Sequence, residues 1–286
     1  MAEVTSNFIE FDGRRLHLLE AGQGDPVLFL HGWPTNAQLW RHVLAALGEH
    51  RRAIAIDLPG YGLSDKPLGI RYSFGFYERA IEGALAALGV ERLGLCVHDA
   101  GGPLGLYWAV RHPERIDSLA LLNTLVFPER SWAVYAFGLA THIPGLRHWM
   151  SSPSGIARFM RLGVCNRERI TDEVAELYTA PFHDRAARRA LLATVQSLST
   201  RGMRSIDEGL SQLTMPLRII YGERDLALPD VARTMARVAE RLPQAEVTSL
   251  PGCGHFLQED QPERVTELVT EFFARPRPQA RARAGS

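Results

Sequence analysis

Lysine is almost missing from this chain: of its 32 basic residues only Lys66 is a lysine, a bias that carries no functional reading. Cysteine is scarce too. Cys96, Cys165 and Cys253 are far apart, odd in number and without CxxC spacing, which argues against a disulfide framework and a metal site such as zinc, and fits a reducing cytoplasm. Net charge is absent, with 32 acidic residues against 32 basic ones, so nothing points to nucleic acid, a membrane surface or a polyanionic partner. No apolar run approaches the ~18 residues of a membrane-spanning helix. The opening MAEVTSNFIEFDG lacks the basic-then-apolar order of a secretory signal, and a cytoplasmic location is expected. Internal repeats are missing, and so is GxSxG, the serine form of the nucleophile elbow.

What is present is an ordinary globular composition, 286 residues with 46% apolar and 22% charged, long enough for one large α/β domain. Short β-rich runs alternate with amphipathic helical stretches. NFIEF, RLHLLEAG, PVLFLHG, RAIAIDLPG, RLGLCVHDA, IDSLALLNT, LRIIYGERD and AEVTSLPG read as strands. VLFL, AIAI, LGLCV and LALL are apolar throughout, as strands covered on both faces must be. YSFGFYERAIEGALAALG, GGPLGLYWAVRHPER and DVARTMARVAERL carry apolar residues at i, i+3 and i+4 and read as helices between them. The pattern predicts a mostly parallel sheet flanked by helices, with the first strands as an antiparallel hairpin at its edge.

The alternation fails from about Phe127 to Leu213, a stretch too long for a loop and helical in pattern. The expected organisation is therefore a core of residues 1–126 and 214–275, and a helical cap of residues 127–213 over the carboxyl ends of the strands. Residues 276–286, rich in Pro, Ala and Arg, read as a frayed tail.

Three polar residues fall at strand exits. Asp99, in VHDAGG, ends an apolar strand at a turn whose Ala100, Gly101 and Gly102 make room for a sharp strand-to-helix elbow; it is either the N-cap of the next helix or an exposed oxygen nucleophile. His255, in GCGHFLQED, follows the last strand. Asp225, in YGERDLALPD, follows the strand before, as a turn or cap residue or as the partner of a histidine. The chain order nucleophile, acid, histidine is that of the α/β-hydrolase triad. HGWPT follows PVLFL, so that the backbone N–H of Trp33 and of Ala100 form a candidate oxyanion hole. His31 reads as a structural turn residue.

HGWPTNAQLWRHV, DLPGYGLSDKP, VHDAGGPLGLYWAVRHPERI, LYTAPFHDRAARR and GCGHFLQEDQPE resemble the aspartate-nucleophile branch of the α/β-hydrolase superfamily, most of all haloalkane dehalogenases and next epoxide hydrolases, over roughly residues 8–275. The resemblance implies an eight-stranded α/β-hydrolase fold with a cap inserted after the sixth strand. It implies hydrolysis of a small apolar organic substrate by water, without cofactor or metal. Asp99 would attack carbon, His255 would activate water and Asp225 would orient His255. In the dehalogenases a tryptophan after the nucleophile and often an asparagine in HGN hold the halide; this chain has Ala100 and Trp33 there. Trp33, Trp132, Tyr135, His148, Trp149 and Tyr178 are the candidate pocket residues, Tyr135 and Tyr178 being the hydroxyls an epoxide hydrolase would use. Oligomeric state is not legible.

Overall fold

The computed structural model describes residues 1–129, 131–195 and 198–276. All eight expected strands form: β1 (Thr5–Phe11), β2 (Arg14–Ala21), β3 (Pro26–Leu30), β4 (Arg52–Ile56), β5 (Leu93–Asp99), β6 (Ile116–Thr124), β7 (Leu217–Gly222) and β8 (Ala245–Leu250). They make one sheet in the order β1-β2-β4-β3-β5-β6-β7-β8. β1 and β2 pair as an antiparallel hairpin, β2 runs antiparallel to β4, and every pair from β4 onward is parallel. The apolar runs behave as their composition requires. Val27–Leu30, Ala53–Ile56 and Leu119–Leu122 are buried throughout, whereas the edge strand β1 is largely exposed.

The strand order reverses on either side of β3, because β4 lies on one flank and β5 on the other. Open α/β sheets bind ligands at such a switch point, outside the carboxyl ends of the strands. The two loops that leave β3 and β5 carry HGWPT and the turn at Asp99.

Flanking helices are α1 (Arg41–Leu47), α2 (Phe74–Ala87) and α3 (Gly101–Ala109). Among the described residues six more lie between β6 and β7: α4 (Trp132–Ala140), α5 (Pro144–Met150), α6 (Pro153–Leu162), α7 (Asp172–Thr179), α8 (Arg185–Thr194) and α9 (Thr200–Gly209). α10 (Val231–Arg241), α11 (Leu257–Asp260) and α12 (Pro262–Ala274) complete the chain, with α1 packed on α12 and α2 on α3. α2 shows why these segments are helical: Ser73 caps it by accepting from the Phe76 amide, and Phe76, Tyr77, Ala80, Ile81 and Ala84 bury one stripe.

Polar ties join the helical insertion to the core. Asn36 Nδ2 donates to Leu177 O at 2.8 Å, and the Phe256 amide donates to Gly163 O at 3.1 Å. Asp260 accepts the amides of Cys165, Asn166 and Gly254 at 2.7, 2.9 and 2.7 Å. One carboxylate thus locks the insertion against the loop that carries His255. Of the expected tail, residues 277–286 lie outside the described residues.

Candidate active site

β5 delivers Asp99 to the turn in a left-handed conformation, φ 48°, which costs a residue with a Cβ about 1–3 kcal/mol and persists only where its surroundings enforce it. Close packing does so here. A Cβ on Gly32 would overlap the Asp99 carboxylate, and one on Gly102 would overlap the Thr124 side chain. Thr124 Oγ1 in turn donates to Asp99 O at 2.7 Å. Asp99 is not the cap of α3: that position belongs to Ala100, which makes no side-chain capping bond. The carboxylate turns instead toward β3, where Oδ2 accepts the Trp33 amide at 2.8 Å and the side chain is also held by the Ala100 amide.

His255, at the end of the loop after β8, presents Nε2 to Asp99 Oδ1 at 3.7 Å, too long for a hydrogen bond. Its Nδ1 meets Asp225 Oδ2 at 2.8 Å. Asp225 fills both roles that its position suggested. Oδ1 accepts the Ala227 and Leu228 amides at 2.8 Å each, fixing the turn after β7, while Oδ2 holds His255. Asn123, at the end of β6, supports that arrangement. Its Nδ2 donates to Asp225 Oδ2 at 2.8 Å and to Gly254 O at 3.0 Å, and its Oδ1 accepts the Gly222 amide at 2.9 Å.

Burial pushes the Asp99 carboxyl up, against the pull of His255 and of the Ala100 and Trp33 amides. Burial opposes charge on His255 as well, but Asp225 and Asp99 outweigh it and hold the imidazole above its ordinary pKa. Asp225 lies below the usual range because His255 overcomes its desolvation. His98, its ring tilted against that of His255 with centroids 4.9 Å apart, is pushed down to about 3 by burial and by His255. It is therefore a neutral ring, and its Nε2–H donates to His255 O at 2.9 Å, steadying the histidine loop.

The Asp99 and His255 side chains open onto a cavity of about 260 Å³ whose walls are mostly apolar: Leu125, Val134, Phe137, Phe159, Leu226 and Leu228 among them. Trp33 lines it too, held edge-on between Phe137 and Phe159 at 4.7 and 5.1 Å, and its indole Nε1 is buried without a partner. Two hydroxyls, Tyr61 and Thr194, complete the lining. Burial holds the Tyr61 phenol protonated, and Thr194 is its hydrogen-bonding neighbour.

A carboxylate, a histidine backed by a second carboxylate, and two amides converge on an apolar cavity at the switch point. Against that geometry stand the comparisons. The alpha/beta hydrolase fold family matches residues 25–262. The chain belongs to the α/β-hydrolase family. A cis-3-alkyl-4-alkyloxetan-2-one decarboxylase of Shewanella oneidensis is 30% identical over 93% of this chain and 87% of its own. Haloalkane dehalogenase 2 of Mycobacterium tuberculosis is 28% identical over 94% of both chains. The crystal structure of a haloalkane dehalogenase from Bradyrhizobium elkani superposes with a TM-score of 0.83 at 26% identity, covering 95% of this chain and 98% of that one. With such relatives, this α/β-hydrolase is an enzyme.

Of the residues that the sequence suggested, Asp99, His255, Asp225, Trp33 and Ala100 come together. His31 is buried in a turn, its Nε2 accepting the Leu58 amide at 3.1 Å. Five pocket candidates do not line the cavity. Trp132 and Tyr135 lie on the outward face of α4, 75% and 62% exposed, and His148 and Trp149 are exposed on α5. Tyr178 is fully buried elsewhere, donating to Glu259 beside Arg41. An aromatic residue in a helical segment reveals its face only when the helix's neighbours are known. Tyr61 and Thr194 escaped the sequence reading, although Tyr61 lies in the loop that leaves β4, a strand exit like those that carry Trp33, Asp99, Asp225 and His255.

Proposed function

We propose that this α/β-hydrolase cleaves small, neutral, apolar alkyl electrophiles through a covalent ester on Asp99, with the carbon–halogen bond of a haloalkane as the leading substrate. The observation that carries this reading is the setting of one carboxylate in the lining of the apolar cavity: Oδ2 accepts the Trp33 amide, the Ala100 amide also holds the side chain, and Oδ1 stands toward His255.

In the first step Asp99 attacks carbon in line with the carbon–halogen bond, whose electron pair leaves with the halide. A carboxylate is a weak nucleophile, and dryness and proximity raise its reactivity. No proton is needed, because halide departs as an anion. In the second step His255 Nε2 takes a proton from water as the water oxygen attacks the ester carbonyl. Negative charge then grows on the carboxyl oxygen that accepts the Trp33 amide, beside the Ala100 amide, and losing one such donor costs about 3 kcal/mol in the barrier. Collapse expels the alkoxide, which takes the proton from His255 and leaves as alcohol, and the Asp99 carboxyl loses the second proton of the water to solvent, so that alcohol, halide and one proton are the products. Asp225 holds the tautomer of His255 and stabilises its cation.

Trp33 lines the cavity and its indole N–H is buried without a partner, which makes it the donor available to receive the halide. A second reading, opening of an epoxide to a diol, is favoured by one specific observation: the Tyr61 and Thr194 hydroxyls, not the tyrosines of the insertion, line the cavity and can protonate an alkoxide. Bromide release from short 1-bromoalkanes, assayed beside diol formation from styrene oxide, separates the two. Bromide lost about 100-fold in Trp33→Phe but kept in Tyr61→Phe supports the haloalkane. Diol that vanishes in Tyr61→Phe supports the epoxide, and neither product from any haloalkane or epoxide would overturn both.

A further inference from the structure

α4 turns two apolar faces to its surroundings. Ala133, Val134, Phe137 and Gly138 line the cavity. On the opposite side Trp132, Tyr135, Ala136 and Leu139, at i, i+3, i+4 and i+7, are exposed. The outward stripe continues through Ile143 and Leu146 to Trp149 on α5. Apolar surface of this extent on a soluble face marks an interaction site.

Charge identifies the occupant. From Ser131 to Arg167 the chain contains no aspartate or glutamate. Arg147 on α5 and Arg158 on the next helix, α6, are exposed and form no ion pair among the described residues, while Arg161 is spent on Asp172 at 2.6 Å. Beside the start of α4, Glu129 pairs with Arg237 at 3.0 Å and Asp230 shares a groove with Trp132. A two-fold contact with a second copy would bring arginines together with no carboxylate of the segment between them. An anionic lipid surface answers both features, because Trp and Tyr favour the interfacial zone and arginines pair with lipid phosphates.

We propose that the outward face of α4 and α5 docks this enzyme on an anionic lipid surface, lying in the headgroup layer without crossing it, so that apolar substrate passes from lipid to a cavity on the other side of the same helix. The whole-chain balance of zero charge, which argued against a membrane surface, averages over this segregation.

The test is sedimentation of the full-length protein with phosphatidylcholine vesicles, with and without phosphatidylglycerol. The expected result is binding to the phosphatidylglycerol vesicles that weakens with salt and is at least tenfold weaker on phosphatidylcholine alone. Arg147→Gln and Arg158→Gln should each lower the partition coefficient about fivefold. Trp132→Glu and Leu139→Glu should abolish binding with unchanged melting curves, since both side chains already face solvent. Absence of sedimentation with phosphatidylglycerol vesicles overturns the proposal, as does equal binding to both vesicle types. A dimer by light scattering that Leu139→Glu dissolves, with no vesicle binding, also overturns it and makes the face a contact between copies.

Discussion

Two buried carboxylate clusters lie beneath the helical insertion, and they differ in what they leave unspent. In the cluster of Arg41, Tyr178 and Glu259, Glu259 Oε2 accepts Arg41 Nη2 at 2.8 Å, and Oε1 accepts both Arg41 Nη1 and the Tyr178 hydroxyl. Every oxygen has a donor, so the cluster ties α1, α7 and α11 together and offers nothing to a ligand. In the cluster of Asp99, His255 and Asp225, the inner bond is just as short, 2.8 Å between His255 Nδ1 and Asp225, yet Asp99 Oδ1 and His255 Nε2 stand 3.7 Å apart and face a cavity. A satisfied buried network fixes a fold; one held in a strained turn with an open valence is equipped for chemistry.

Substitutions should separate the clusters by what they damage. Asp99→Asn should reduce turnover by at least about 10⁴-fold, since among the described residues no other carboxylate lines the cavity. The same change should leave the melting temperature equal or higher. Asp99 has a raised pKa in the fold, so its ionised form is disfavoured there at neutral pH, and a neutral amide removes that cost. Glu259→Ala should do the reverse. It strands Arg41, whose side chain is only 20% exposed, and should cost about 3 kcal/mol in urea unfolding while the rate per folded molecule changes little. A large loss of rate without loss of stability in Glu259→Ala would erase the distinction.

The smallest expected effect is a displacement in pH. In the free enzyme Asp225 and Asp99 both raise His255, against burial. Forming an ester on Asp99 removes one of those charges, so the His255 pKa falls in the intermediate. Water is activated only by the neutral ring, and the rate of ester hydrolysis therefore rises with pH through this lower pKa. The ascending limb of kcat should lie at lower pH than the His255 titration of the free enzyme followed by NMR. Coincident values would mean that Asp99 carries no ester when water is activated.

Much of this was legible in the sequence, for identifiable reasons. Strands buried on both faces must be apolar throughout, so VLFL, AIAI, LGLCV and LALL located the parallel sheet. Asp99, Asp225 and His255 stood out because polar residues directly after such strands land on one edge. Side-chain direction within the insertion was not legible. α4 is apolar all round, WAVYAFGLA, and periodicity cannot say which of its faces meets the cavity. Trp132 and Tyr135 were therefore expected inward and lie outward. Tyr178 was misread because its partners, Arg41 and Glu259, are 137 and 81 residues away in the chain.

The central claim, that the open oxygen of Asp99 becomes esterified, is tested most directly by mass spectrometry of His255→Gln after incubation with 1-bromobutane and, separately, styrene oxide. The account predicts a stable adduct of the alkyl group on the peptide containing Asp99, absent from the double variant that also carries Asp99→Asn. An unmodified Asp99 after exposure to both reagents, in protein shown to be folded, would contradict it.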